Sequence, residues 1–255
     1  MSRDSRKKEL ADLLNEVDAL KEQLDAVRPL AGREILQALD TEYTYDSNRI
    51  EGNTLTLRET DIIVNKGLTV GGKSMREHLE AANHYEAVAF VRELAQEQAP
   101  VSESIVRQVH ALILQGIDRE NAGIYRSVPV AISGSRHVPP QPWQVPKLME
   151  ELFLRLEQEA EHMHPVVSAA ELHEGIATIH PFIDGNGRTA RLLMNLALLR
   201  QGYTITNIPG ESHSRLAYYD ALEKCNLEQD KTEFHLLIAG YVRASMENFV
   251  RLLGK

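Results

Sequence analysis

Apolar residues are spaced by two in a single stretch, Val128-Pro129-Val130-Ala131-Ile132; the other periodic segments repeat at three and four. That contrast predicts an all-α protein interrupted by one small β-hairpin. From Leu10 the apolar positions run through Leu13, Val17, Leu20, Leu24 and Val27, a helical stripe that ends or kinks near Pro29. The same stripe suits a short coiled-coil seam or packing on its own domain, and both stay open. A second helix is expected over 34–50, stopped at Gly52-Asn53, where glycine supplies a left-handed cap. Thr56-Leu57-Arg58-Glu59 has the spacing of a capping box and starts a third. A glycine-rich break at 67–72 precedes a helix through Leu94, and Pro100 separates it from one over 102–114. Beyond Pro146, helices are expected over 147–161, 169–179, 188–201, 214–226 and 232–253.

Within the expected hairpin, between Tyr125 and Trp143, Ser133-Gly134-Ser135 offers the turn. Pro129 lies in the first strand and demotes it to a sheet edge, because proline donates no ladder hydrogen bond. Such an edge could serve as a docking rail.

Charge narrows the partners. Lys and Arg total 28 against 37 Asp and Glu among 255 residues, a net charge of -9, which argues against wrapping nucleic acid or an anionic membrane. A phosphate site must then be a local cluster. Cys225 is the single cysteine, so no intramolecular disulfide can form and a reducing compartment is the default. The chain opens on a charged, amphipathic segment without an apolar signal region or a membrane-length apolar run, and the expected location is the cytoplasm.

The segment His180-Pro181-Phe182-Ile183-Asp184-Gly185-Asn186-Gly187-Arg188-Thr189-Ala190-Arg191 joins two expected helices. Pro181 stops the first. Gly185-Asn186-Gly187 can turn successive amides inward as an anion nest, and the following helix aims its unpaired N–H groups at the same hollow. Arg188 and Arg191, three apart, share a helix face with Asn195, and two guanidinium forks there suit a polyphosphate better than one carboxylate. Asp184, just outside, is a candidate ligand for Mg²⁺, which takes one or two carboxylates with phosphate oxygens and water. His180 enters the loop just before the nest, and an unperturbed pKa of ~6.5 suits a general base. Phe182 reads as an apolar anchor of the loop.

These residues resemble the Fic motif, with every defining position present. Further likeness comes from Gly123-Ile124-Tyr125-Arg126, the 128–140 hairpin, His173, and Leu192-Leu193-Met194-Asn195 through Gly202-Tyr203, so that about 101–207 is covered. The resemblance implies a Fic-type helical core with a hairpin flap that binds a target protein by strand addition. It implies a protein adenylyltransferase moving AMP from ATP to a Ser, Thr or Tyr hydroxyl. His180 would deprotonate the hydroxyl and Asp184 would hold Mg²⁺ on the α- and β-phosphates. Gly185, Asn186 and Gly187 would hold the α-phosphate, the Asn186 side chain also donating, while Arg188 and Arg191 would engage the β- and γ-phosphates. Tyr218 or Tyr219 would stack near the base or simply pack.

Ser47-Asn48-Arg49-Ile50-Glu51-Gly52-Asn53 resembles the family's inhibitory motif, in which the glutamate pairs with the second arginine, here Arg191. Its place before the core implies the class with an N-terminal inhibitory helix. The expected division is 1–99, helical, with the inhibitory helix at about 36–52, and 100–255, the core, with the flap at about 125–143 and closing helices. Two other readings stand beside the transferase: a hydrolase in which Glu51 positions water to remove AMP, and a nucleotide-binding module without catalysis. Self-modification and homodimerisation are both compatible with the chain.

Overall fold

The computed structural model describes residues 3–254. Among these, ten α-helices follow one another: α1 (Arg3–Val27), α2 (Arg33–Ile50), α3 (Leu57–Lys66), α4 (Met75–Gln96), α5 (Glu103–Ile113), α6 (Val145–Glu159), α7 (Pro165–Ile179), α8 (Asn186–Arg200), α9 (Ser212–Glu228) and α10 (Thr232–Leu253). No described helix is long and apolar enough to cross a membrane.

Local chemistry accounts for most boundaries. Thr56 accepts from the Glu59 amide while the Glu59 carboxylate accepts from Thr56, and Ser74 and Glu77 make the same reciprocal pair at the start of α4. Gly52 takes φ +96° just beyond α2, as its position suggested. Helices α6 and α7 start earlier than expected because Pro146 and Pro165 occupy their first turns, where a missing N–H costs nothing. His164 caps α7 by accepting from the Val166 amide at 3.2 Å.

Helix α8 is buried on nearly all sides and divides two cores. Leu192, Leu193 and Leu196 pack with Val88, Val106, Val109, Met149, Ile176 and Phe182 from α4 to α7 and the loop after α7. Met194 and Leu198 join Val17, Leu24, Phe234, Ile238, Val242 and Met246. The second group seats the stripe of α1, Val17 and Leu24 at its centre, against α10 of the same chain. Helix α2 lies against α4, and polar bonds fasten it there. Arg92 donates to Asp40 from Nε and Nη2, and Asn48 Nδ2 donates to the Glu80 carbonyl at 3.3 Å.

The expected β-hairpin does not form; among the described residues there is no strand. The stretch between Tyr125 and Gln141 is irregular, with a turn closed from the Ser135 amide to the Ile132 carbonyl. Pro129, Pro139 and Pro140 remove N–H donors from both limbs, so a ladder lacks partners. Arg126 substitutes for it. Its guanidinium donates to the Val128 carbonyl at 3.3 Å and the Pro140 carbonyl at 2.5 Å, tying the two limbs through one buried side chain.

Candidate active site

The loop from His180 to Gly185 is held from beneath by three side chains. Phe182 is fully buried and stacks on His110, ring centroids 3.6 Å apart and ring planes nearly parallel. His110 Nδ1 accepts from the Gly123 amide at 2.8 Å, and its Nε2–H donates to the Asp184 carbonyl at 2.9 Å. Burial pushes this histidine down to about 4, so the ring stays neutral and keeps both roles. The Asn186 carboxamide closes the loop by accepting from the Phe182 amide and donating to the Phe182 carbonyl, both at 2.9 Å. The Asn186 side chain is thereby engaged with the loop itself. Arg126 completes the support, donating from Nε to the His180 carbonyl at 2.8 Å.

His180 itself adopts φ 51°, a left-handed angle seldom taken by a residue with a side chain. The conformation ends α7, and the ring lies near enough to Glu51 to feel its charge. Its Nδ1 lies 3.2 Å from the Ala177 carbonyl, which can only accept, so the neutral ring carries its proton there and presents a bare Nε2. Burial, together with the charges of Arg126 and His137, lowers its pKa below the ordinary imidazole value against the opposing pull of the Ala177 carbonyl and Glu51.

Gly185 takes φ 79° and begins α8; the first intrahelical bond runs from the Thr189 amide to the Gly185 carbonyl. The amides of Asn186, Gly187 and Arg188 therefore lie outside the ladder at the positive end of the helix. Asp184 caps from outside: Oδ1 accepts from the Gly185 amide at 2.6 Å, and Oδ2 from Arg76 at 2.6 Å. Burial favours its protonated form, but Arg188, the Gly185 amide and Arg76 outweigh it and hold the carboxyl below the usual range.

Both motif arginines are buried and their partners differ. Arg188 faces Asp184 at 3.5 Å and Glu80 of α4 at 3.7 Å, and its Nε and Nη1 find no hydrogen-bond partner. Arg191 is gripped by α2: Nε donates to Ser47 Oγ at 3.0 Å, and Nη2 donates to the Ser47 carbonyl at 2.9 Å and to Glu51 Oε1 at 2.6 Å. Glu51 Oε1 also overlies Gly187, where a Cβ would collide with it. The glutamate carboxylate thus sits at the start of α8, as an incoming anion would. Tyr218 is buried, with its hydroxyl 3.4 Å from Arg191 Nη1 and 2.9 Å from His173 Nε2, and Tyr219 donates to the Ile50 carbonyl at 2.9 Å, so Tyr218 bears on Arg191 and Tyr219 on α2. Asn195 turns away to bond Thr206.

His180, Asp184, Gly185, Asn186, Gly187, Arg188, Arg191, Ser47 and Glu51 thus gather in one place. His110, Arg126, Arg76 and Glu80, also part of it, carry no local spacing that singles them out.

Helical packing and this loop are those of a Fic-type domain, and residues 100–198 match the Fic/DOC family. Among individual proteins it is similar to the protein adenylyltransferase Fic of Nematostella vectensis, 36% identical over 220 residues, covering 84% of this chain and 50% of that one. The protein of the same name from Drosophila grimshawi is 35% identical over 211 residues, covering 82% and 42%. The chain therefore spans about half the length of these curated relatives. Of solved structures, Fic-1 (residues 134–508) from C. elegans superposes with a TM-score of 0.83 at 28% identity, covering 97% of this chain and 74% of that one. A Fic domain containing signaling protein from Bacteroides thetaiotaomicron VPI-5482 gives 0.77 at 29%, covering 94% of each.

Proposed function

We propose that this chain transfers AMP from ATP to a protein hydroxyl and that Glu51 restrains the transfer. The observation that carries the reading is the seat of the Glu51 carboxylate on Arg191 and over Gly187. In this reading the α-phosphate meets the free amides at the start of α8, and Arg188 turns its unpartnered donors to the β- and γ-phosphates. Arg191 joins them once Glu51 withdraws.

The acceptor O–H gives its proton to His180 Nε2, the oxygen bonds to the α-phosphorus, and the bond to pyrophosphate breaks on the far side. A positioned base of this kind contributes about 10²- to 10⁴-fold. Amides and guanidinium groups fixed in advance stabilise the charge that develops on phosphate oxygens.

Magnesium fits as a companion of the nucleotide. No described group of three or more His, Cys, Asp or Glu side chains could hold a metal alone, but Asp184 is an ionised, half-exposed carboxylate beside the proposed phosphate position. Asp184 would hold the ion, which would neutralise charge on the phosphates. The acceptor protein would dock along the Arg126-clamped segment, where Val128 and Val138 are exposed; this chain itself is one such acceptor to examine.

The test is label transfer from ATP labelled at the α-phosphate, with Mg²⁺, by wild type, Glu51→Gly, and Glu51→Gly with His180→Ala. Label that rises in the first variant and vanishes in the second supports the reading; bound nucleotide without label in any sample overturns it. Glu51 is near enough to His180 for its charge to raise the ring's proton affinity, and this favours AMP removal as a second reading. It predicts release of AMP from a modified protein by wild type and none by Glu51→Gly.

A further inference from the structure

Two carboxylates and two guanidinium groups close a ring at the mouth of the site. Arg76, in the first turn of α4, donates from Nε to Glu80 Oε1 at 3.0 Å and from Nη2 to Asp184 Oδ2 at 2.6 Å. Arg188 lies across from it, 3.7 Å from the same Glu80 oxygen and 3.5 Å from Asp184 Oδ1. The two cations are not equivalent. Arg188 is buried in α8 and cannot leave, whereas the Arg76 side chain is 58% exposed on a long flexible stem. Asn53 Nδ2 also donates to Glu80, at 3.0 Å, so that carboxylate is fixed from the side of α2 as well.

We propose that Arg76 is a tethered stand-in for the divalent cation: its guanidinium holds Asp184 and Glu80 until the metal displaces it, so that Arg76 sets how much metal the site requires. The inference rests on the reading of Asp184 as the metal carboxylate. A hard divalent ion prefers carboxylate oxygens, and two such oxygens are already turned toward one cation here. Displacement is inexpensive because the pair is partly exposed and screened, worth at most about 1 kcal/mol. Arg76 then swings into solvent or stays on Glu80, which would face the ion through water. This device is separate from Glu51, which occupies the Arg191 side of the start of α8.

The experiment measures Mn²⁺ binding by water-proton relaxation in Glu51→Gly, with Arg76 intact, changed to Ala or changed to Lys. Each protein is titrated with Mn²⁺ alone and with an ATP analogue whose α,β-bridge is methylene. Arg76→Ala should lower the Mn²⁺ dissociation constant about two- to fivefold in both arms, the factor that follows from a pair of that strength. Arg76→Lys, which keeps the charge, should stay closer to the parent. An unchanged or weaker Mn²⁺ affinity in Arg76→Ala overturns the proposal. Absence of analogue binding by any variant overturns the transferase reading instead, and the Mn²⁺-alone arm still decides the role of Arg76.

Discussion

Glu51 Oε1 accepts a hydrogen bond from Arg191 Nη2 at 2.6 Å, across 140 positions of sequence, and the same oxygen covers the α-carbon of Gly187. One carboxylate therefore neutralises a buried cation and fills the start of a helix. Its removal leaves that cation uncompensated.

Glu51→Gln should lower stability by about 1–2 kcal/mol, since the Ser47 contacts to Arg191 survive while its charge loses a partner. The unfolding temperature should fall by roughly 2–8 °C. Pyrophosphate or ATP should recover more of this loss in the variant than it adds to wild type, which differential scanning calorimetry will measure.

Gly187→Ala offers a check through steric fit. In wild type the new methyl group collides with Glu51, so the substitution should destabilise. In the Glu51→Gly background the collision is gone, although Arg191 Nη1 stays 3.1 Å away and must shift slightly. There alanine should be near neutral, or stabilising by up to about 0.5–1 kcal/mol as glycine gives way to a better helix former. A double-mutant cycle in urea should show coupling above about 1 kcal/mol.

Activity should hold level at neutral pH and fall only on the acid side, below the ordinary histidine range. In the proposed mechanism His180 must be unprotonated to accept, and burial lowers its pKa from 6.5. A rate profile of Glu51→Gly between pH 5 and 8 should put the acidic midpoint under about 6.5. A midpoint above that value would contradict the buried setting of the ring.

Stability carries a related signature. Burial depresses His110 to about 4 and His173 to about 3. The unfolded chain takes up protons on these rings below about 6.5 while the folded one does not, so acid favours unfolding. Their contribution is complete above the unfolded value and is lost progressively as pH falls from about 6.5 toward 4. Urea midpoints at pH 7.5, 6.5 and 5.5 should decline in that order, with the larger step below 6.5.

Arg126→Ala should release the irregular segment it ties, because both limbs lose their shared donor. Limited proteolysis should cut between residues 127 and 141 faster in the variant. Transfer activity should drop at least tenfold, since the His180 carbonyl loses its Nε bond as well.

Much of the site was legible because its parts are close in sequence. The run from His180 to Arg191 contains the proposed base, the outer carboxylate, the glycine turn and both arginines, and Ser47 with Glu51 follows from spacing on one helix. His110, Arg126 and Arg76 were not legible. They reach the loop across 74, 54 and 108 positions, and no local pattern encodes such a contact. The hairpin was misjudged for a related reason: alternation reports which side chains share a face, whereas a ladder needs N–H donors. Pro129, Pro139 and Pro140 lack them, and one arginine does the tying instead.

Helix α2 meets its surroundings through directional bonds at many points: Asp40 with Arg92, Asn48 with the Glu80 carbonyl, Asp46 with Asn207 and the Gly210 amide, Ser47 with Arg191. A fastening of this sort has one register, since a slip by a single residue breaks all of these bonds together. In the proposed reading, restraint by Glu51 would then behave as a latch with two positions. Partial activity in a preparation would count the molecules whose latch is open, each working at full rate, beside others that do not work at all.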